Sequence, residues 1–160
     1  MADAGTSEDA DRVVIITRTF DAPASLVFKA LSQPEHVMKW FGPKSWPLTL
    51  CEMDFRVGGR FRFAMTGPTG VQNTPFGGTY LEIVPGSKIV YDNGFETPGA
   101  EKMVVTLTFQ EEDGKTLLTM HTLFGSVDMY KTHVGYGFVQ GTNSGLDNLE
   151  DLLRDITPKA

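Results

Sequence analysis

The stretch His133–Ile156, HVGYGFVQGTNSGLDNLEDLLRDI, decides how this chain folds. Val139, Thr142, Asn143, Leu146, Leu149, Leu153 and Ile156 recur there at the three- and four-residue spacing of one helix face. The spacing predicts one long helix from near His133 to Ile156, ended by Thr157-Pro158. Its apolar stripe extends about 35 Å at 1.5 Å rise per residue. Gly135, Gly137, Gly141 and Gly145 weaken the first half, at ~1 kcal/mol each relative to Ala, and permit close packing or a bend. A stripe of that length needs a broad apolar face to cover.

The upstream sequence supplies one. Residues 12–20, RVVIITRTF, are β-branched and apolar and read as a strand. Trp46–Phe55, Arg60–Thr66, Phe76–Val84, Lys88–Phe95, Lys102–Gln110 and Thr116–Phe124 read as six more. Their separators are rich in Gly, Pro and Asp, which implies hairpins and an antiparallel meander. Phe61, Phe63 and Met65 share one strand face, with Arg60 and Arg62 on the other. Met103, Val105, Leu107 and Phe109 oppose Thr106 and Thr108 in the same way. Between the first strand and this meander, Ala24–Leu31 and Pro34–Trp40 read as two short helices, broken at Ser32-Gln33-Pro34. The expected architecture is α+β: a seven-stranded antiparallel sheet curved around the long C-terminal helix in a helix-grip.

Length and composition agree with one domain. The chain has 160 residues, 41% hydrophobic and 21% charged, which are globular values. Met1–Asp11 holds four carboxylates and no apolar periodicity, and reads as a disordered lead to a domain over residues 12–157. A net charge of −6 argues against a general nucleic-acid binder. Apolar runs as short as Val13-Val14-Ile15-Ile16 do not span a membrane. The N-terminus lacks a basic start and an apolar stretch, and Cys51 is the single cysteine. Together these point to the cytoplasm.

The order of elements and several motifs resemble the START/SRPBCC superfamily of helix-grip folds. The branch they resemble most is the family of domains homologous to the activator of heat-shock-protein-90 ATPase. The resemblance is carried by Arg18-Thr19-Phe20-Asp21-Ala22-Pro23, Val27-Phe28-Lys29-Ala30-Leu31 and Pro34-Glu35-His36. Trp40-Phe41-Gly42-Pro43, Asp54-Phe55-Arg56-Val57-Gly58-Gly59-Arg60-Phe61 and Gly78-Thr79-Tyr80-Leu81-Glu82-Ile83-Val84 follow. Gly141-Thr142-Asn143-Ser144-Gly145-Leu146-Asp147-Asn148-Leu149 completes it, over roughly residues 12–155. Three positions depart from the family pattern. Phe41 stands for the second Trp of Trp-Trp-Gly-Pro, Val57 for the Pro of Pro-Gly-Gly, and Thr142 for a tryptophan of the last helix. Thr142 therefore implies a larger or more polar cavity floor than in relatives. Relatives include hydrophobic-ligand binders, aromatase/cyclase-like proteins, resistance proteins and co-chaperone domains, and fold does not choose among them. A true heat-shock-protein-90 activator carries a further domain upstream, where this chain has about eleven residues, so that role is not expected.

The chemistry-bearing residues form no catalytic signature. His36, His121 and His133 lack metal-ligand spacing, and no Gly-x-Ser-x-Gly elbow or phosphate loop is present. His36 is expected in solvent and His133 in a cap or solvent role. If Leu118 and Met120 face the core, His121 points outward; with the opposite parity it is a cavity acid/base candidate. Cys51 reads as a buried structural thiol. Glu52, Asp54 and Glu82 read as ion-pair partners of Arg56, Arg60 and Arg62 on the outer face. Glu111, Glu112 and Asp113 read as a solvated hairpin tip. No catalytic residue, metal or cofactor is assigned.

The resemblance implies a cavity between sheet and helix. Its expected lining is Trp40, Phe61, Phe63, Met65, Tyr80, Tyr91, His121, Val139, Thr142, Asn143 and Leu146. The expected ligand is an apolar or aromatic small molecule, with tyrosines and Asn143 orienting it by hydrogen bonds. An enzyme catalysing cyclisation, dehydration or hydrolysis of such a ligand is the rival reading, and a co-chaperone-like interaction module the third. No nucleic-acid or membrane partner is expected; a homodimer is left open.

Overall fold

The computed structural model describes residues 11–157. The lead read at Met1–Asp11 thus lies, except for Asp11, outside the described residues, as does Pro158. The elements run β1 (Val13–Phe20), α1 (Ala24–Ser32), α2 (Pro34–Trp40), β2 (Leu48–Met53), β3 (Arg60–Met65), β4 (Phe76–Val84), β5 (Lys88–Phe95), β6 (Met103–Glu112), β7 (Lys115–Leu123), α3 (Val127–Gly135) and α4 (Phe138–Ile156). All seven strands form one sheet in the order β1-β7-β6-β5-β4-β3-β2, antiparallel throughout. The hairpin punctuation accounts for the meander from β2 to β7, and β1 closes on β7 with Val13 opposite Leu123. Alternation sets the inner face. Phe61, Phe63, Met103, Val105, Leu107 and Phe109 are buried, while Arg60 and Arg62 are exposed.

The C-terminal region differs from the expected single helix. It is two helices, because Gly137 sits at φ +98°, in the left-handed region, and the chain turns there. The preceding Tyr136 is 89% exposed. The sequence reading left α3 unassigned. Ser126 starts it: its Oγ accepts the backbone N–H of Met129 at 3.1 Å. Helix α3 has no buried residue, so its periodic signal is weak.

Helix α4 carries the apolar stripe as expected, with Leu146, Leu149, Leu152 and Leu153 buried. It packs on the sheet through β1 and against α1 and α2. Arg18 on β1 secures it from outside, donating to Asp147 Oδ1 at 2.8 Å and to Asn143 Oδ1 at 3.3 Å. Trp40, the last residue of α2, donates its buried indole N–H to the Ala30 carbonyl of α1 at 2.9 Å. One expected surface feature has a structural task. Glu111 at the β6–β7 hairpin accepts the N–H of Ala24 at 2.7 Å, satisfying an orphan donor at the start of α1. Its negative charge also suits that end of the helix dipole.

Candidate functional site

Between the inner face of the sheet and α4 the protein encloses a pocket of about 360 Å³. Small side chains on the helix make the room. The pocket face of α4 is Phe138, Gly141, Thr142, Gly145 and Leu146, and a Cβ added at Gly141 would meet nothing within 4 Å. Across from it, Phe61 on β3 meets Tyr91 on β5 edge-on, with ring centroids 5.3 Å apart, and Tyr80 on β4 at 5.4 Å. Phe41, after α2, stacks near Phe76 at 5.9 Å and meets Phe63 at 5.4 Å. Asn73, Thr74 and Phe95 line the pocket and are also exposed, so the pocket meets solvent at that end.

Eight of the expected lining residues come together here: Trp40, Phe61, Phe63, Met65, Tyr80, Tyr91, Thr142 and Leu146. Three do not. His121 pairs across the sheet with Ile15, which is 61% exposed, and with Thr106. It points away from the pocket because Leu118, Met120 and Thr122 take the inner face of β7. Asn143 is turned toward β1, since one residue along a helix rotates the side chain by about 100°, and Val139, four residues before it, lies on the same helix face outside the lining. Asn143 is occupied there: its Oδ1 accepts from Arg18 at 3.3 Å, and its Nδ2 donates to the Val139 carbonyl at 3.1 Å.

His133 and Asn93 are among the lining residues that the sequence reading did not name as such. His133, expected in a cap or solvent role, lies in the pocket wall. Its ring stacks on Phe95 at 6.1 Å with an interplanar angle of 11°, and packs against Phe124 at 5.5 Å. Burial lowers its pKa below the ordinary value of 6.5. Asn93 shares the inner face of β5 with Ile89, Tyr91 and Phe95, so the strand's two-residue period was the signal that could have found it. His36, expected in solvent, is half-buried, and its Nδ1 has no hydrogen-bond partner among the described residues.

The electrostatics are those of an apolar site. Among the described residues no Asp, Glu, Lys or Arg lines the pocket. Burial pushes the Tyr91 phenol up to about 12. It raises the Tyr80 phenol further, with smaller contributions from Tyr91, Cys51 and Asp54. Both are therefore neutral hydroxyls at physiological pH. The charges sit outside: Asp54 pairs with Arg56 at 2.9 Å, Glu82 with Lys88 at 3.2 Å and Glu96 with Arg62 at 2.6 Å. Among the described residues no three His, Cys, Asp or Glu side chains are placed to hold a metal ion. No helix there is long and apolar enough to cross a membrane.

Comparison with known proteins extends this picture. The family model described as Activator of Hsp90 ATPase homolog 1-like protein matches residues 21–154. A crystal structure of a protein from Nitrosomonas europaea is 27% identical, covers 92% of this chain and 97% of its own, and superposes with a TM-score of 0.81. A crystal structure from Chromobacterium violaceum is 25% identical, with coverages of 92% and 99% and a TM-score of 0.78. A solution structure from Staphylococcus epidermidis is 30% identical, with coverages of 93% and 93% and a TM-score of 0.75. Among curated proteins none matches at a significant level.

Proposed function

This chain belongs to the Activator of Hsp90 ATPase homolog 1-like family, and from that premise we propose that it is a cytoplasmic binding protein for an apolar or aromatic small molecule. The pocket carries the reading: about 360 Å³ walled mainly by aromatic and aliphatic side chains. Ligand pockets run from about 300 to 1,000 Å³ with a few polar groups among apolar walls, and this one lies at the small end. Apolar burial at about 25 cal/mol per Å² supplies the affinity. Carriage is favoured over turnover by the chemistry of the lining. Among the described residues it offers no carboxylate. Tyr80 and Tyr91 hold their protons too firmly to act as general bases near neutral pH.

Native mass spectrometry of the protein purified from its own cells tests the proposal. The expected result is a bound small molecule released by organic solvent. Ligand-free protein that also fails to take up an apolar fluorescent probe would overturn it.

A further inference from the structure

Strand β5 lays Ile89, Tyr91, Asn93 and Phe95 along the inner wall of the pocket. Three of these are apolar or aromatic. The fourth is a carboxamide opposite Met103 of β6, whose side chain is buried. Asn93 lines the pocket, and its Oδ1 is buried and accepts no hydrogen bond among the described residues, so a turn of the amide about its last side-chain bond brings this oxygen to a ligand. A buried carbonyl oxygen without a donor is costly, and native proteins rarely keep one unless a ligand or water meets it. The neighbouring inner-face residue with a polar group is Tyr91, about 7 Å along the strand at 3.3 Å per residue.

The rest of the lining limits what can approach that oxygen. With no Asp, Glu, Lys or Arg of the described residues in the wall, an ionised ligand would lose its hydration without gaining a counter-charge. Burial lowers the pKa of His133 and so disfavours its cationic form. A hydroxyl meets these conditions. It is uncharged, donates to the Asn93 oxygen, and still accepts from a neighbouring amide or phenol.

We infer that Asn93 is the polar anchor of the pocket and that the ligand is an uncharged, largely apolar molecule presenting a hydroxyl to it. This rests on the pocket being a ligand site. Asn93 is a specificity-determining residue: it selects a hydroxyl over a methyl at one end of the ligand, while the aromatic wall holds the rest.

Three probes of nearly one shape test the inference: 2-naphthol, 2-methylnaphthalene and 2-naphthoate, titrated near pH 7 against wild type, Asn93→Leu and Asn93→Ala. In wild type, 2-naphthol binds and 2-naphthoate binds at least about tenfold more weakly, a comparison that needs no variant. In either variant the affinity ratio of 2-naphthol to 2-methylnaphthalene falls by about tenfold, the value of one buried hydrogen bond. Asn93→Leu also leaves the free protein at least as heat-stable as wild type, because it removes an unpaired buried oxygen. An unchanged ratio in a folded variant, or 2-naphthoate binding as tightly as 2-naphthol, overturns the anchor. Failure of wild type to bind either uncharged probe removes the ligand site itself, and the inference with it.

Discussion

The side-chain amide of Asn148 on α4 donates to the main-chain carbonyl of Gly42, 106 residues earlier, at 2.9 Å. The same nitrogen lies 3.3 Å from the carbonyl oxygen of Trp40. Trp40 ends α2, so its carbonyl has no partner within that helix. One amide on the last helix thus finishes α2 and fixes the aromatic loop at the pocket wall. Gly145 permits the approach: a Cβ there would stand 3.3 Å from the Gly42 nitrogen.

Asn148→Ala should therefore destabilise the protein by about 1–2 kcal/mol, the usual cost of stranding part-buried carbonyls. Urea unfolding measures it. A loss below a few tenths of a kcal/mol would mean that water replaces the amide without penalty.

Thr142→Trp should fill the pocket and spare the fold. Thr142 lies on the pocket face of α4 beside Gly141, where added atoms meet open space. Titration with an apolar fluorescent probe should show binding weakened roughly tenfold, equivalent to ~1.4 kcal/mol. Equal binding by both proteins would place Thr142 outside the binding space.

His133 should make stability depend on pH. Its folded pKa lies below the ordinary 6.5, so between the two values the unfolded chain binds more protons. Stability is then complete above pH 6.5 and lost as pH falls through the folded value. His133→Phe keeps a ring against Phe95 and removes the titration. The melting temperature of wild type should drop more than that of the variant between pH 7.5 and 5. Parallel curves would show that His133 does not contribute.

Cys51 should react slowly with alkylating agents. Burial pushes its thiol up to about 11 from 9.0, and its Sγ lies 3.9 Å from the Pro34 carbonyl oxygen. At pH 8 the thiolate fraction is about a hundredfold lower than for an unperturbed thiol. Iodoacetamide labelling followed by mass should take correspondingly longer in the native protein than in urea. Equal rates would show a freely accessible thiolate.

Local pattern in the chain was enough for the architecture. The alternation of Arg60-Phe61-Arg62-Phe63, the glycine- and proline-rich hairpins and the stripe Leu146, Leu149, Leu153 specify strands, meander and final helix. They do so because periods of 2 and 3.6 are properties of neighbouring residues. The same alternation placed Phe61, Phe63, Val105 and Leu107 on the inner face. What lies across from a residue is not a local property. Only the tertiary structure turned Asn143 to Arg18 on β1 and Thr142 to the pocket, two neighbours on one helix separated by about 100° of rotation. Only it brought Glu111 to the first N–H of α1, 87 residues away. The break at Gly137 swung His133 onto Phe95, and closure of the sheet over α4 buried the Asn93 Oδ1 with no donor among the described residues. Each of these depends on how far one element is rotated against another, which packing of the whole core sets and no short window of sequence contains.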